Sequence, residues 1–234
     1  MGRPCYRSPM ASTPAATPTD TRAASPTVGA TPATGDVDGR RLRRDRNRDA
    51  VVHALLALYR EGNLDPSADE IATRSGVSAR SVFRYFDDVE DLANAAITHQ
   101  LMDVAHLLPL TCPPDRPLAE RIAAVAQQRA ALYEAIFPVA LVSRLRAPFN
   151  RAVAARLAQN RAEMRAQVAN LFRAELAALP DGAAARRLAA ADTLASYETW
   201  SLWRTDQGLS AADAEATMAD ALTCLFTAPA RGAR

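Results

Sequence analysis

SADEIATRSGVSARSVFRYFDD, residues 67–88, holds two helix starts separated by one forced turn. Ser67 stands three residues before Glu70, the spacing of a capping box, in which hydroxyl and carboxylate each bond the other residue's backbone N–H. Gly76 supplies the left-handed residue that closes a helix with no Cβ penalty. Ser78 then caps a helix predicted over 79–86, and Asp87 or Asp88 caps the next. Wound at 100° per residue, the 79–86 segment sorts into two arcs. Ala79, Val82, Phe83 and Phe86 share one, suited to a core. Arg80, Ser81, Arg84 and Tyr85 share the other, where two forked guanidiniums one turn apart suit phosphate oxygens and the edge of guanine. Ala72, Gly76 and Val82 fall at the small, turn and buried positions of a helix-turn-helix. The small residue lets the two helices touch, and the glycine lets the chain reverse.

Outward from this stretch the periodicity stays helical. No segment alternates with period two over a strand's length, so the predicted fold class is all-α. A preceding helix over 46–60 carries the apolar stripe Val51, Val52, Leu55, Leu58 and Tyr59, and Gly62 with Asn63 ends it. Further helices are predicted over 89–108, 118–136, 139–145, 150–179, 184–204 and 210–226, with breaks at Pro138, Pro148, Pro180 and Gly208. Residues 1–39 are Ala, Ser, Thr, Pro and Gly with scarcely a large apolar side chain, which predicts a disordered tail and leaves Met10 as an alternative start. The expected organisation is that tail, a basic arm with helix-turn-helix over 40–91, a helical body over 92–227 and a short tail over 228–234.

The chain has 234 residues, 49% of them hydrophobic, enough for a sizeable core. No apolar run reaches membrane-spanning length and none follows the basic residues at the start, so neither a membrane span nor a secretion signal is read, and a cytoplasmic location is expected. Cys5, Cys112 and Cys224 are widely spaced and odd in number, which disfavours a disulfide framework or thiolate cluster. Net charge is only +2, yet all 28 basic residues are arginine. Arg40, Arg41, Arg43, Arg44, Arg46 and Arg48 crowd one short segment, a footprint of nucleic-acid binding or, equally, a solvated charge run. There is no G-x-S-x-G, phosphate loop or H-E-x-x-H, so no enzyme is read, and no cofactor is implied.

Taken in order, RNRDAVVHALLALYREGNLDPSADEIATRSGVSARSVFRYFDDVEDL resembles the N-terminal DNA-binding domain of the tetracycline-repressor (TetR) family of transcriptional regulators. The matching features are the basic start, the Ala-rich first helix, the S-x-x-E-I-A second helix, the G-V-S turn, the Y-F end of the third helix and an acidic fourth-helix start leading to Leu92. The resemblance implies a homodimer that places one recognition helix in each half of a palindromic operator. It puts base reading at Ala79, Arg80 and Ser81, after the cap Ser78, with Arg80 on a guanine. Phosphate contacts fall to Ser67, Phe83, Arg84 and Tyr85, and the arginine arm, above all Arg43, Arg44 and Arg46, follows the backbone or the minor groove. The chain departs from the family in having Phe83 where tyrosine is usual, which favours a core role there. Val89 replaces the usual lysine among Asp87, Asp88, Glu90 and Asp91, acids that suit a helix N-terminus but repel a nearby phosphate.

The resemblance also implies a small-molecule effector bound in the helical body, whose binding releases DNA. Met102, His106, Tyr133, Phe137, Phe149, Met164, Phe172 and Trp200 are the candidate lining residues, and each reads equally as bundle core. Ala211, Ala214, Met218, Ala221, Leu222 and Leu225 repeat at helical spacing, a stripe that reads as dimer interface by the resemblance or as internal core by pattern alone. His99, Asp103 and His106 fall within about 60° on one helix, a possible metal face, but partly exposed histidines fit as well and no metal is assigned. The expected function is a ligand-responsive regulator, most simply a repressor. The alternative is a helical ligand-binding or scaffold protein whose helix-turn-helix has weakened or lost its hold on DNA.

Overall fold

Pro138 sits inside a continuous helix rather than ending one, and that helix organises the molecule. The computed structural model describes residues 34–228. The expected tails at 1–33 and 229–234, with Cys5 and Met10, lie outside the described residues. Within them are ten α-helices, a single 3₁₀ turn, a single π turn and no strand.

The first, α1, spans Thr34–Arg60 and so runs through the arginine cluster, starting well before the expected residue 46. Arginine is a good helix former, and from Arg40 to Arg48 no glycine or proline interrupts the segment, so the helix propagates upstream from the apolar stripe. Gly62, at φ 89°, turns the chain. Helix α2 (Ala68–Ser75) has the full capping box at Ser67 and Glu70, and ends on Gly76 at φ 69°. Helix α3 (Ala79–Tyr85) is capped by Ser78, whose hydroxyl accepts from the Ser81 N–H. Helix α4 (Val89–Asp103) is capped by Asp88 and stops short of the expected residue 108. A 3₁₀ turn at Ala105–Leu107 follows it.

Helix α5 (Leu118–Arg146) merges the two helices expected on either side of Pro138. Pro138 cannot donate to the carbonyl one turn back, and its ring crowds that turn. Side chains from neighbouring helices bond the carbonyls beside it: Gln100 Nε2 donates to Ala135 at 3.2 Å and the Tyr197 hydroxyl to Phe137 at 2.8 Å. Helix α6 (Arg151–Leu171) is capped by Asn150 and ends at Phe172, where a single helix to 179 was expected. Arg121 donates to the terminal Leu171 carbonyl at 2.7 Å, which satisfies an acceptor that a helix end leaves open. Short α7 (Arg173–Ala177) and α8 (Asp181–Leu194) follow. Ser196 then starts α9 (Tyr197–Ser201), which runs into a π turn at Leu202–Asp206. Helix α10 (Ala211–Thr227) is capped by Ser210.

Two apolar cores result. One is built from Val51, Leu55 and Tyr59 of α1, Ile71 of α2, Val82 and Phe86 at α3, and Leu92 and Ala96 of α4, and it extends to Val139 and Val142 of α5 and Val153 of α6. The boundary expected between residues 91 and 92 therefore falls inside a core. The other joins the earlier part of α5 to Leu171, Phe172, Trp200 and the buried face of α10. Helix α5 serves both, and Pro138 marks the handover. Phe172 stacks on Phe226 with ring centroids 4.2 Å apart.

Candidate nucleic-acid interface and ligand cavity

The exposed side of α3 is set by its caps and by two contacts from α1. Asn47 Nδ2 donates to the Tyr85 hydroxyl at 3.2 Å, and Arg84 donates to the same oxygen at 3.0 Å. These two hydrogen bonds, with Arg84 beside the ring, hold the Tyr85 phenol below its ordinary pKa. Tyr85 is thus an anchor that orients Arg84 rather than a free contact. Arg48 lies over the Phe86 ring at 4.7 Å, tying α1 to the end of α3. Arg80 is exposed and no hydrogen bond or ion pair engages it among the described residues, so its fork is available to a base edge. Ser78 donates to the Ser81 hydroxyl at 3.0 Å, leaving Ser81 half-buried beside Ala79.

Phe83 corrects the arc drawn from the sequence. It is 53% exposed, and the buried side of the helix is Val82 and Phe86. The helix is only seven residues long and packs chiefly on α2, so one turn of the wheel suffices for the core and Phe83 points outward. Arg43, Arg44 and Arg46 are exposed on α1, and Arg46 Nε reaches back to the Leu42 carbonyl at 3.4 Å. Being helical, they present their charges as a helix face and not as an extended arm. Ser67 is committed to its box: its hydroxyl donates to Glu70 at 2.7 Å and its N–H does so at 2.8 Å. Those two bonds hold the Glu70 carboxyl below the usual range.

The acids at the start of α4 are mostly occupied as well. Asp88 accepts from the Asp91 N–H at 2.7 Å, and Asp91 from the Asp87 N–H at 3.3 Å. Glu90 turns to the body, paired with Arg146 at the end of α5 and accepting from Asn150 Nδ2 at 2.7 Å. A second link leaves Gln100, which accepts from Arg60 of α1 at 3.1 Å and donates to the Pro138 turn. Sequence reasoning missed Glu90, Arg146, Asn150 and Gln100, since their partners lie 35 to 60 positions apart.

Gln100 also lines a cavity of about 370 Å³ bounded by α4, α5, α6 and the α8–α9 junction. Apolar walls come from Ile97, Leu132, Ile136, Val139, Leu157 and Val168. Of the candidate lining residues, Tyr133 and Met164 are on this wall. The other six are elsewhere, because each is spent on packing or faces outward. Met102 and Phe149 are exposed at 71% and 92%. His106 sits on the 3₁₀ turn, with Nδ1 3.0 Å from the Asp103 carbonyl. Phe137 packs on the core behind the wall, and Phe172 and Trp200 are fully buried inside it. Trp200 donates to Glu134 at 2.9 Å, a carboxylate that also takes a guanidinium from Arg204. Burial pushes both Tyr133 and Tyr197 up to about 12. Both are hydrogen-bond donors, Tyr133 to the Ala195 carbonyl at 2.7 Å.

The α10 stripe divides. Ala214, Met218 and Leu222 are fully buried against α5 in their own chain and cannot meet a partner, which corrects the interface expected there. Ala211 and Leu225 pack partly on the same core, and Ala221 is half-exposed beside them. The outward face of α10 carries instead Ala212, Ala216, Asp220, Thr223 and Cys224. His99 pairs with Asp103 at 3.2 Å and lies edge-on to His53, and no group of three metal-ligating side chains forms among the described residues.

No protein-family model and no curated protein matches this sequence. Its fold matches solved structures. A TetR-family transcriptional regulator from Streptomyces coelicolor is similar over 77% of this chain and 80% of its own length, at 22% identity and a TM-score of 0.60. A protein from Rhodococcus sp., described as a regulator of the same family, is similar over 77% of this chain and 99% of its own, at 17% identity and a TM-score of 0.53. The chain therefore has the all-helical fold of TetR-family regulators.

Proposed function

We propose that this protein is a ligand-responsive, TetR-type transcriptional regulator, without enzymatic activity, that binds a palindromic operator as a homodimer and releases it when a small molecule fills the cavity. The observation that carries the reading is the exposed face of α3: Arg80 exposed and unpaired among the described residues, Phe83 outward, and Arg84 oriented by the Asn47–Tyr85 contact, all on a helix held by a capped helix-turn-helix. Arg80 reads a base, with Ser78, Ala79 and Ser81 at the edge of the groove. Phe83 and Arg84 meet the backbone, with Tyr85 holding Arg84 in place and Ser67 fixing the N-terminus of α2 that faces it, and Arg43, Arg44 and Arg46 supply sequence-independent attraction.

Release follows if the ligand binds two arrangements of the body unequally. The cavity touches the reading head through Gln100, which is hydrogen-bonded to Arg60, while Glu90 clamps the start of α4 to Arg146 and Asn150. A ligand that spreads α4 from α5 strains both links. The test is a mobility-shift assay on DNA flanking the gene, in low and moderate salt. A shift that persists in moderate salt for one segment only supports the reading. Binding to none of the neighbouring segments leaves a helical ligand-binding protein and sinks the regulator.

A further inference from the structure

Arg129 is a buried charge that makes no ion pair among the described residues. It stands in the apolar stripe of α5, between Ala126 and Tyr133, and is fully buried. It also lines the cavity. Its hydrogen-bond partners are all neutral: Gln128 Oε1, Gln167 Oε1 at 3.0 Å and the Met164 carbonyl at 3.2 Å. Its Nε has no partner among the described residues. Burial drives its pKa below the ordinary arginine value, the mark of a cation held where charge is unfavourable.

The carboxylates of the cavity wall are engaged elsewhere. Glu198 is shared by Arg144, at 2.9 Å, and Arg161. Asp192 pairs with Arg165 at 3.2 Å, and Glu163 is exposed and takes the Gln159 amide at 3.1 Å. Tyr133, at about 12, stays protonated at neutral pH and supplies no negative charge. The cavity wall is mixed: Ile97, Leu132, Ile136 and Val168 make an apolar side, while the ion-paired groups above and the exposed Arg156 line the rest. A buried cation with unmet donor capacity beside that apolar side is complementary to an anion carrying an apolar body, since a charge-assisted hydrogen bond is stronger than a neutral one.

We propose that the cavity binds an apolar monocarboxylate, fatty or aromatic, whose carboxylate is held by Arg129 while its hydrocarbon meets the Ile97, Leu132, Ile136 and Val168 wall. This rests on the ligand-responsive reading for its regulatory meaning, but the binding itself is measured with no DNA present, so the two fail separately.

The probes are two pairs matched in shape: decanoate with decan-1-ol, and 1-naphthoate with 1-naphthalenemethanol. Calorimetric titration of the full chain at neutral pH is expected to show at least one acid binding roughly tenfold or more tightly than its alcohol, the ratio a hydrogen bond to a buried charge supplies. In Arg129→Met and Arg129→Gln, whichever retains the helical circular-dichroism signal, the acid loses its advantage while the alcohol binds as before or better. Equal affinities for acid and alcohol in the wild type, no heat from any of the four probes, or an advantage that survives in either folded variant overturns the assignment.

Discussion

At the scale of single residues, the claims turn on what a guanidinium is paired with. Arg80 is exposed and unpaired among the described residues, so Arg80→Ala is expected to cost about 1–3 kcal/mol of operator affinity and to relax the preference at one base pair. Arg44→Ala is expected instead to weaken all sequences alike and lower the salt slope by about one, read by fluorescence anisotropy over a salt series. Arg121 is the opposite case: nearly buried, it forks onto Glu175 at 2.5 and 2.8 Å. Glu175→Gln strands that guanidinium and is expected to cost on the order of 3 kcal/mol in denaturant melts at neutral pH. Arg121 holds the Glu175 carboxyl below its usual range, so the contribution is present above the unfolded carboxylate pKa and fades as pH falls through the lower folded value. The gap between wild type and variant should therefore close on acidification. The exposed arginines of α3 were legible from the wheel. Arg129 left a signal too, a charge at a core position of α5, but its lack of a partner emerges only when α6 and α8 are packed around it.

At the scale of elements, the caps were readable and the long-range joints were not. Ser67, Ser78, Asp88, Asn150 and Ser210 act within three residues of their helices, so local sequence specifies them. Gly76 is equally local: it sits at φ 69°, and beyond its own chain neighbours no atom of the described residues comes within 4 Å of where a Cβ would be. Gly76→Ala therefore carries a conformational cost alone, about 1–2 kcal/mol, visible as a lowered midpoint in thermal unfolding. Pro138 misled the reading because its helix runs on between two packed cores, with Gln100 and Tyr197 bonding carbonyls beside it, which no local pattern announces. At the start of α4, Asp88 caps the helix as the sequence indicates, whereas the pairing of Glu90 with Arg146 is a long-range joint. Glu90→Gln separates the alternatives in an anisotropy titration over salt. Loosening the clamp should weaken DNA binding with the salt slope unchanged. A stronger grip with a steeper slope would mean that Glu90 repels phosphate after all.

At the scale of the molecule, α5 is common to two apolar cores, one around α1–α4 and one around α8–α10, and the cavity lies along it. In the proposed function, that arrangement is the route by which a ligand preferring one state would bias α1–α4 through packed helices. All-α architecture was legible because every segment kept helical periodicity, whereas the partition of α10 into buried and outward faces required the fold. With Ala214, Met218 and Leu222 enclosed, the proposed homodimer is expected on the outward face of α10, and light scattering should return a mass near twice 25.1 kDa. The most direct test of the whole account is a nuclease-protection footprint on the DNA flanking the gene, run with wild type and Arg80→Ala. The account predicts two protected half-sites related by a two-fold axis, lost or blurred in the variant. Protection without half-site symmetry, or an identical footprint from Arg80→Ala, would contradict it.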